Sequence, residues 1–400
     1  LASWMLIATG VVMAGTPEFL TSFSADNGTT LEGGLTQGGD GSFYGVASAG
    51  GRFGRGTLYK MTPDGTVTVV QTFSGLGASQ PYNPGVPMGS LLLASDGYFY
   101  GTTSTGGFGG GTLFKMSMAG EVTVMKNLPD ASAGFARSPS GSLIEGADGS
   151  IYGTTELGGA ANLGAMFKMT KEGVWTNLVE FTGNVGARPG AKPRSGVMVG
   201  PDGAFYGTTY QGGSSGRGVV FRLTPVGSYS VLHSFSPLSS GLNQPIGGLV
   251  TGVDGKLWGT TFYNGSGTTG YGGIYKITTG GVMTPVVTFT GVSGAFPGRF
   301  TDSTLLASSD GFLYGTTYGG GANSRGVFFK VDTSGNYSVL HDVTIAENKT
   351  APSNNGLFDL NGAVGRLSST SDGGIWGVMR RGGSSDDETV GGVTLPSYRG

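Results

Sequence analysis

The stretch Asp310-Gly-Phe-Leu-Tyr-Gly-Thr-Thr-Tyr-Gly-Gly-Gly-Ala-Asn-Ser-Arg-Gly-Val-Phe-Phe-Lys330 decides the fold. Asp-Gly is a hairpin signal, because Gly accepts the positive φ of a tight turn. Phe312 to Thr317 then carry aromatic and β-branched residues, as a strand does. The glycine run breaks that strand, and Gly326 to Lys330 read as the next one. The kernel of the phrase is Asp-Gly, two residues, Tyr or Trp, then Gly. It recurs seven times, anchored at Asp40, Asp96, Asp148, Asp202, Asp254, Asp310 and Asp372. The aromatics are Tyr44, Tyr100, Tyr152, Tyr206, Trp258, Tyr314 and Trp376. Spacings of 56, 52, 54, 52, 56 and 62 residues with fixed internal offsets exclude coincidence.

Each copy supplies four short strands. An apolar strand precedes Asp-Gly, as in Ser90 to Leu93. The second carries the aromatic and ends in Thr-Thr, as at Thr102-Thr103, Thr154-Thr155, Thr208-Thr209, Thr260-Thr261 and Thr316-Thr317. A Gly-Gly loop follows (Gly106-Gly107, Gly212-Gly213), then a third strand such as Gly111 to Met116, then a fourth such as Tyr229 to Phe235. One such sheet cannot bury both faces, whereas stacking copies around an axis does so. The expectation is an all-β, seven-bladed β-propeller of four-stranded antiparallel blades over residues 16–400, with the repeated aromatic as the wedge between blades. The last copy has a third strand near Gly392 to Leu395 and stops at Gly400 without a fourth. Phe19 to Ser24 matches the fourth-strand phrase Val231 to Ser236, so the N-terminal strand is expected to complete the seventh blade and close the ring. It could do so in its own chain or in a neighbour.

Composition agrees. Of 400 residues 81 are Gly, charged residues are 12% and aromatics 10%. Low charge with retained aromatics argues against disorder, 17 Pro without a Gly period argue against collagen, and the glycine content argues against helices. There are no cysteines, so disulfides and thiolate chemistry are excluded. The net charge of −2 offers no basic excess for nucleic acid. Residues 1–15 are apolar or small but too short for a membrane span, so no span is expected. They read as a docked N-terminal segment or a secretion-signal remnant, and either places the protein outside the cytoplasm. Trp4, Met5, Leu6, Ile7, Val11 and Val12, with Phe19 and Phe23, form the expected self-association segment.

The phrase from Asp310 to Lys330, followed by Ser338-Val-Leu-His341, resembles the Gly-rich GloVer tandem-repeat motif of large bacterial exported proteins. The resemblance covers nearly all of residues 16–400 and implies export and a propeller-like array. No activity defines that family. Its members often carry a separate C-terminal anchor, which is not seen here.

Chemistry is sparse. His233 and His341 occupy equivalent fourth strands and are not expected to converge. The repeated Asp reads as a turn former that bonds its own backbone two residues on. Glu145, Glu156 and Glu180 are isolated. Asp386-Asp387-Glu388, beside Arg380-Arg381, lacks the spacing of a calcium loop. The Gly-Gly loops lack a following helix or Gly-Lys-Ser/Thr, so no nucleotide site is expected. No catalytic, cofactor-binding or metal-binding residues are therefore assigned. The face bearing the loops between second and third strands and between each fourth strand and the next first strand, together with the Thr-Thr strand ends, is the default ligand surface. Its candidates are Arg52, Arg55, Tyr82, Asn83, Gln211, Arg217, Tyr263, Asn264, Tyr271, Asn323 and Arg325. The leading expectation is an exported, non-enzymatic structural propeller that self-associates as a homo-oligomer or polymer, in a filament or surface layer. The alternative is a glycan- or protein-binding module at the cell surface. A secreted lyase or hydrolase is the third reading.

Overall fold

A computed structural model describes residues 3–8, 18–31, 33–75, 84–130, 135–236, 241–265, 270–301, 303–343, 367–369, 374–378, 389–390 and 393–394. The chain is an all-β propeller of antiparallel blades. Six blades each come from one continuous stretch of sequence. Their second strands are Phe43–Ala49, Phe99–Gly106, Ile151–Leu157, Phe205–Thr209, Leu257–Asn264 and Leu313–Thr316. Their third strands are Thr57–Met61, Gly109–Met116, Ala165–Met169, Val219–Leu223, Gly273–Ile277 and Val327–Val331. Each blade runs outward from an inner to an outer strand. In three of them the inner strand is broken into two short pieces, both paired with the second strand.

The expected count of seven blades is corrected to six. The seventh copy contributes only Ser368–Ser369 and Ile375–Val378, too little for a blade of its own. Its expected third strand near Gly392 to Leu395 is also corrected, because Val393–Thr394 pairs with Thr389–Val390 in a separate hairpin. Ser3–Ala8 pairs instead with Ile375–Val378, and Glu18–Phe23 pairs with Ser3–Ala8, so this sheet draws strands from both ends of the chain. Among the assembly residues, Trp4, Met5, Leu6 and Ile7 lie on its inner N-terminal strand and Phe19 and Phe23 on its outer one. Val11 and Val12 lie outside the described residues, as do the Asp386 to Glu388 cluster with Arg380 and Arg381.

The repeat residues build the core. Each copy's aromatic packs on the residue three after the next copy's Asp. Tyr44 meets Phe99 with ring centroids 4.4 Å apart, and Tyr152 meets Phe205 at 4.4 Å. Tyr100, Tyr206, Trp258 and Tyr314 share buried clusters with Ile151, Leu257, Leu313 and Ile375. Trp376 makes the same contact with Phe43 of the first blade at 4.1 Å. Burial of each ring contributes about 2 kcal/mol or more from area alone.

The same aromatic has a polar end. The Asp of the turn accepts the N–H two residues on through Oδ1, as in Ser150 to Asp148 at 3.1 Å. Its Oδ2 accepts the aromatic's proton, as in Tyr152 at 2.9 Å and Tyr206 at 2.9 Å. Trp258 donates from Nε1 to Asp254 at 3.0 Å. A cation from the paired position of the third strand completes the set, with Lys168 Nζ 2.6 Å from Asp148 and Arg222 Nη2 2.7 Å from Asp202. Burial raises the Asp148 carboxyl, but Lys168, the Ser150 N–H and the Tyr152 hydroxyl outweigh it and hold the group at about 2.

Candidate functional site

Two features bring the inner strands together at the axis. The first is a collar of closely packed glycines. A Cβ on Gly33 would lie 2.3 Å from the Gly89 carbonyl oxygen, and one on Gly141 would lie 2.2 Å from the Gly196 nitrogen. Adjacent blades thus meet backbone to backbone. The second is the Thr-Thr pair. Thr154 Oγ1 donates to the Ser195 carbonyl of the next blade at 2.7 Å, and Thr208 and Thr260 repeat the contact with Gly247 and Ser303, each at 3.2 Å. The second Thr bonds within its blade, as in Thr209 to the Gln211 carbonyl at 2.8 Å. These threonines are buried. They stitch blades and are not the ligand-facing groups that the sequence placed with the loops.

Above the collar, six non-glycine residues adopt left-handed backbone, each ten residues before its Asp. They are Thr30, Val86, Ser138, Lys192, Gln244 and Phe300, with φ between 52° and 59°. Residues outside Gly, Asn and Asp avoid this region, so six in register mark an imposed geometry. Four of their N–H groups reach the preceding blade's loop. Val86 donates to the Arg55 carbonyl at 2.8 Å, Lys192 to Leu163 at 2.8 Å, Gln244 to Arg217 at 2.9 Å and Phe300 to Tyr271 at 2.8 Å.

The latch residues stand at the loop-bearing end of the blades, the mouth of the propeller. There they meet the residue eight after each Asp: Ser48, Ser104, Glu156, Tyr210, Phe262 and Tyr318. From the third to the sixth blade the two positions and their neighbours form an arc. Glu156 accepts from Arg194 Nε at 3.1 Å. The Arg194 guanidinium lies over the Tyr210 ring at 4.1 Å. Phe262 stacks on Phe300 with centroids 4.9 Å apart, and Tyr263 and Tyr271 stand edge-on to Phe300 at 5.8 and 6.3 Å. The Arg299 guanidinium covers Phe300 from 5.7 Å, and its Nε is buried without a hydrogen-bond acceptor. Burial, then Tyr210, push the Tyr263 phenol up, while Arg194 draws it down. The arrangement presents the exposed Tyr271 ring beside guanidinium groups that are already held on aromatic faces, and such groups grip by stacking and by directed hydrogen bonds.

Among the candidates read from the sequence, the structure brings Tyr263 and Tyr271 into this arc. Arg217 and Arg55 serve the latch through their carbonyls. Gln211 pairs with Ala191, and Asn264 ends the second strand of its blade opposite Leu242. Arg52 rests over Phe53 at 5.4 Å in the first blade's loop. Asn323 is exposed and Arg325 half-buried in the sixth blade's loop, where burial lowers the guanidinium. Tyr82 and Asn83 lie outside the described residues. Glu156, read from the sequence as isolated, is paired with Arg194, and the sequence reading missed Arg194, Tyr210, Phe262, Arg299 and Phe300. Aligning the copies position by position would have exposed them. His233 and His341 sit on outer strands of the fourth and sixth blades, and burial lowers His233. Among the described residues no cluster of three or more His, Asp or Glu could hold a metal ion. Nor is any helix there long and apolar enough to cross a membrane.

The fold and its mouth define a repeat-built β-propeller. A family model for the Gloeobacter/Verrucomicrobia repeat matches residues 9–196 and 192–397, and the chain belongs to that family. No curated protein matches it. Among solved structures it is similar to a putative gluconolactonase, at 14% identity over 79% of this chain and 92% of that chain, with a TM-score of 0.42. It is similar to puromycin hydrolase at 13% identity, TM-score 0.49, over 79% of this chain and 47% of that one, so it spans about half that enzyme's length. It is also similar to a PQQ-bound aldose sugar dehydrogenase from Streptomyces coelicolor, at 12% identity over 89% of this chain and 96% of that chain, with a TM-score of 0.39. Likeness at these levels assigns no chemistry to this chain.

Proposed function

We propose that the chain is an exported propeller that binds a saccharide at its mouth and does not turn it over. One observation carries this reading: the aromatic and arginine arc stands where the six copies of the repeat stop agreeing with one another. The Asp, the Gly after it and the aromatic four residues on repeat their residue type, whereas the residue eight after Asp runs Ser, Ser, Glu, Tyr, Phe, Tyr. Sugar rings present C–H faces that stack on such aromatics and hydroxyls that bond to guanidinium groups. The acid in the arc, Glu156, is held by Arg194, which suits positioning rather than proton transfer. A glycan array followed by calorimetry tests the reading. A saccharide hit whose affinity falls about tenfold or more in Tyr271→Ala and Phe300→Ala is expected. A blank array at high protein concentration sinks it.

The sheet built from both ends of the chain supports a second element of the proposal. Its Trp376 and Val378 pack with the first blade and its Ile375 with the sixth, so we read it as the closure of the ring within one molecule. A filament made by strand donation needs Ser3–Ala8 free, and that strand pairs with Ile375–Val378 of the same chain. Sedimentation at high concentration is expected to show monomers, and polymers would return the assembly reading. Fractionation of the native host tests export.

A further inference from the structure

We propose that the saccharide taken at the mouth is acidic, a polysaccharide bearing carboxylates or sulfates. The inference rests on the saccharide-binding reading above and adds the charge of the ligand. It comes from how cations are distributed over the two ends of the propeller. On the Asp-Gly end, cations are mostly Lys, and most pair with an acid there, whereas Lys115 and Lys330 lie over the Tyr98 and Phe312 rings. Lys60 is 2.7 Å from Asp40, Lys168 is 2.6 Å from Asp148, and Lys171 is 2.6 Å from Glu145. Every described arginine except Arg222 lies instead at the mouth end, on the loops between second and third strands, on the connections between blades, or on the inner strands. Of these, Arg52, Arg55, Arg137, Arg188, Arg217 and Arg299 make no ion pair among the described residues. A net charge of −2 hides this segregation: among the described residues the mouth end carries Lys192 and eight of the arginines against the acids Asp26, Asp130, Glu156, Glu180 and Asp342.

Arginine is the cation suited to this task. Its guanidinium is always charged and weakly hydrated, and its fork matches a carboxylate or sulfate with two parallel bonds. Arg137 already shows its hydrogen-bonding reach, donating from Nη2 to Asn162 Oδ1 at 2.9 Å. Arg194 and Arg299 are fixed over Tyr210 and Phe300. A sugar ring stacked on the exposed Tyr271, which stands edge-on to Phe300 beneath Arg299, would therefore place its acid substituents beside a guanidinium group. An acidic protein would use the charge but not the flat ring faces, and the test separates the two.

The test uses the full chain with dextran, dextran sulfate and polyglutamate, measured by calorimetry at two salt concentrations. Dextran sulfate is expected to bind at least tenfold more tightly than dextran, and to weaken as salt is raised. The triple variant Arg52→Glu, Arg55→Glu, Arg188→Glu changes only exposed loop residues, so folding is preserved. It is expected to lose dextran sulfate binding tenfold or more, at about tenfold per broken charged hydrogen bond. Lys256→Glu, on the opposite end, is expected to change nothing. Equal binding of dextran and dextran sulfate overturns the acidic assignment and leaves the saccharide reading standing. Polyglutamate binding as tightly as dextran sulfate overturns the saccharide half. Unchanged dextran sulfate affinity in the triple variant overturns the proposal.

Discussion

Gly196→Ala is the sharpest probe of how the blades meet. The added Cβ would lie 2.0 Å from the Ser142 carbonyl oxygen, and real Cβ atoms essentially never come within 3.0 Å of such a group. The third and fourth blades must therefore part by about 1 Å at the axis. The obstructing atom is backbone, so no rotamer change relieves it, and φ at Gly196 is ordinary, so the effect is steric alone. Parting the blades also strains the adjacent Thr154 to Ser195 bond, 2.7 Å long. Overpacking of this kind costs about 3 kcal/mol. For cooperative unfolding of 400 residues the entropy is about 0.8 kcal/mol per kelvin. The Tm should then fall by about 3 to 4 °C in a scanning calorimeter. Gly280→Ala is the control: its Cβ would meet nothing nearer than Thr278 Oγ1 at 3.8 Å. That variant should match or slightly exceed the parent, because Ala narrows the unfolded ensemble. Equal melting of the two variants would refute the backbone collar.

Other expectations follow from the same geometry. Asp148 is held below the ordinary carboxylate range, so its contribution is complete above about pH 4 and is lost as pH falls toward its folded value of about 2. Asp148→Asn should therefore lower stability at neutral pH and flatten the acid limb between those values, and denaturant titration at each pH checks it. Thr154→Val keeps the shape but removes the donor to the Ser195 carbonyl, for a loss of about 1 to 2 kcal/mol of unfolding free energy. Trp376→Ala removes the ring 4.1 Å from Phe43 and should cost about 3 to 5 kcal/mol if the two-ended sheet belongs to the same cooperative unit. Unchanged stability in that variant would separate the sheet from the propeller.

The blades were legible because their signals are local. Asp-Gly turns, the aromatic four residues on and the glycine breaks are repeated at fixed offsets, and each has one backbone consequence. The polar half of the aromatic's role was not legible: Tyr152 reads as an apolar wedge until the register sets Lys168 beside it and folds Asp148 back onto its hydroxyl. The blade count misled because counting phrases is not counting strands. The copy at Asp372 shares the phrase, yet two of the strands in its sheet come from residues 3–8 and 18–23. At the mouth, the left-handed turn at Phe300 has no residue signature, since Thr, Val, Ser, Lys, Gln and Phe all occupy it. Tertiary packing imposes that turn, and with it the side chains that line the site.

That independence of fold and lining leads to a last expectation. If the mouth positions carry specificity alone, they should accept new side chains without disturbing the blades. Ser104 occupies in the second blade the place that Tyr210 holds in the fourth, and it donates to the Val86 carbonyl at 3.2 Å. Ser104→Tyr removes one neutral hydrogen bond, worth about 1 kcal/mol, and adds a ring at a half-buried site. The Tm should move by no more than about 1 °C, while the arc of aromatic faces extends into a blade that lacks one. Affinity for a longer saccharide chain should rise relative to a short one, because a further ring has a surface to stack on. A drop in Tm like that of Gly196→Ala would place Ser104 among the structural positions. An unchanged ratio of long-chain to short-chain affinity would show that the ligand does not extend over the second blade.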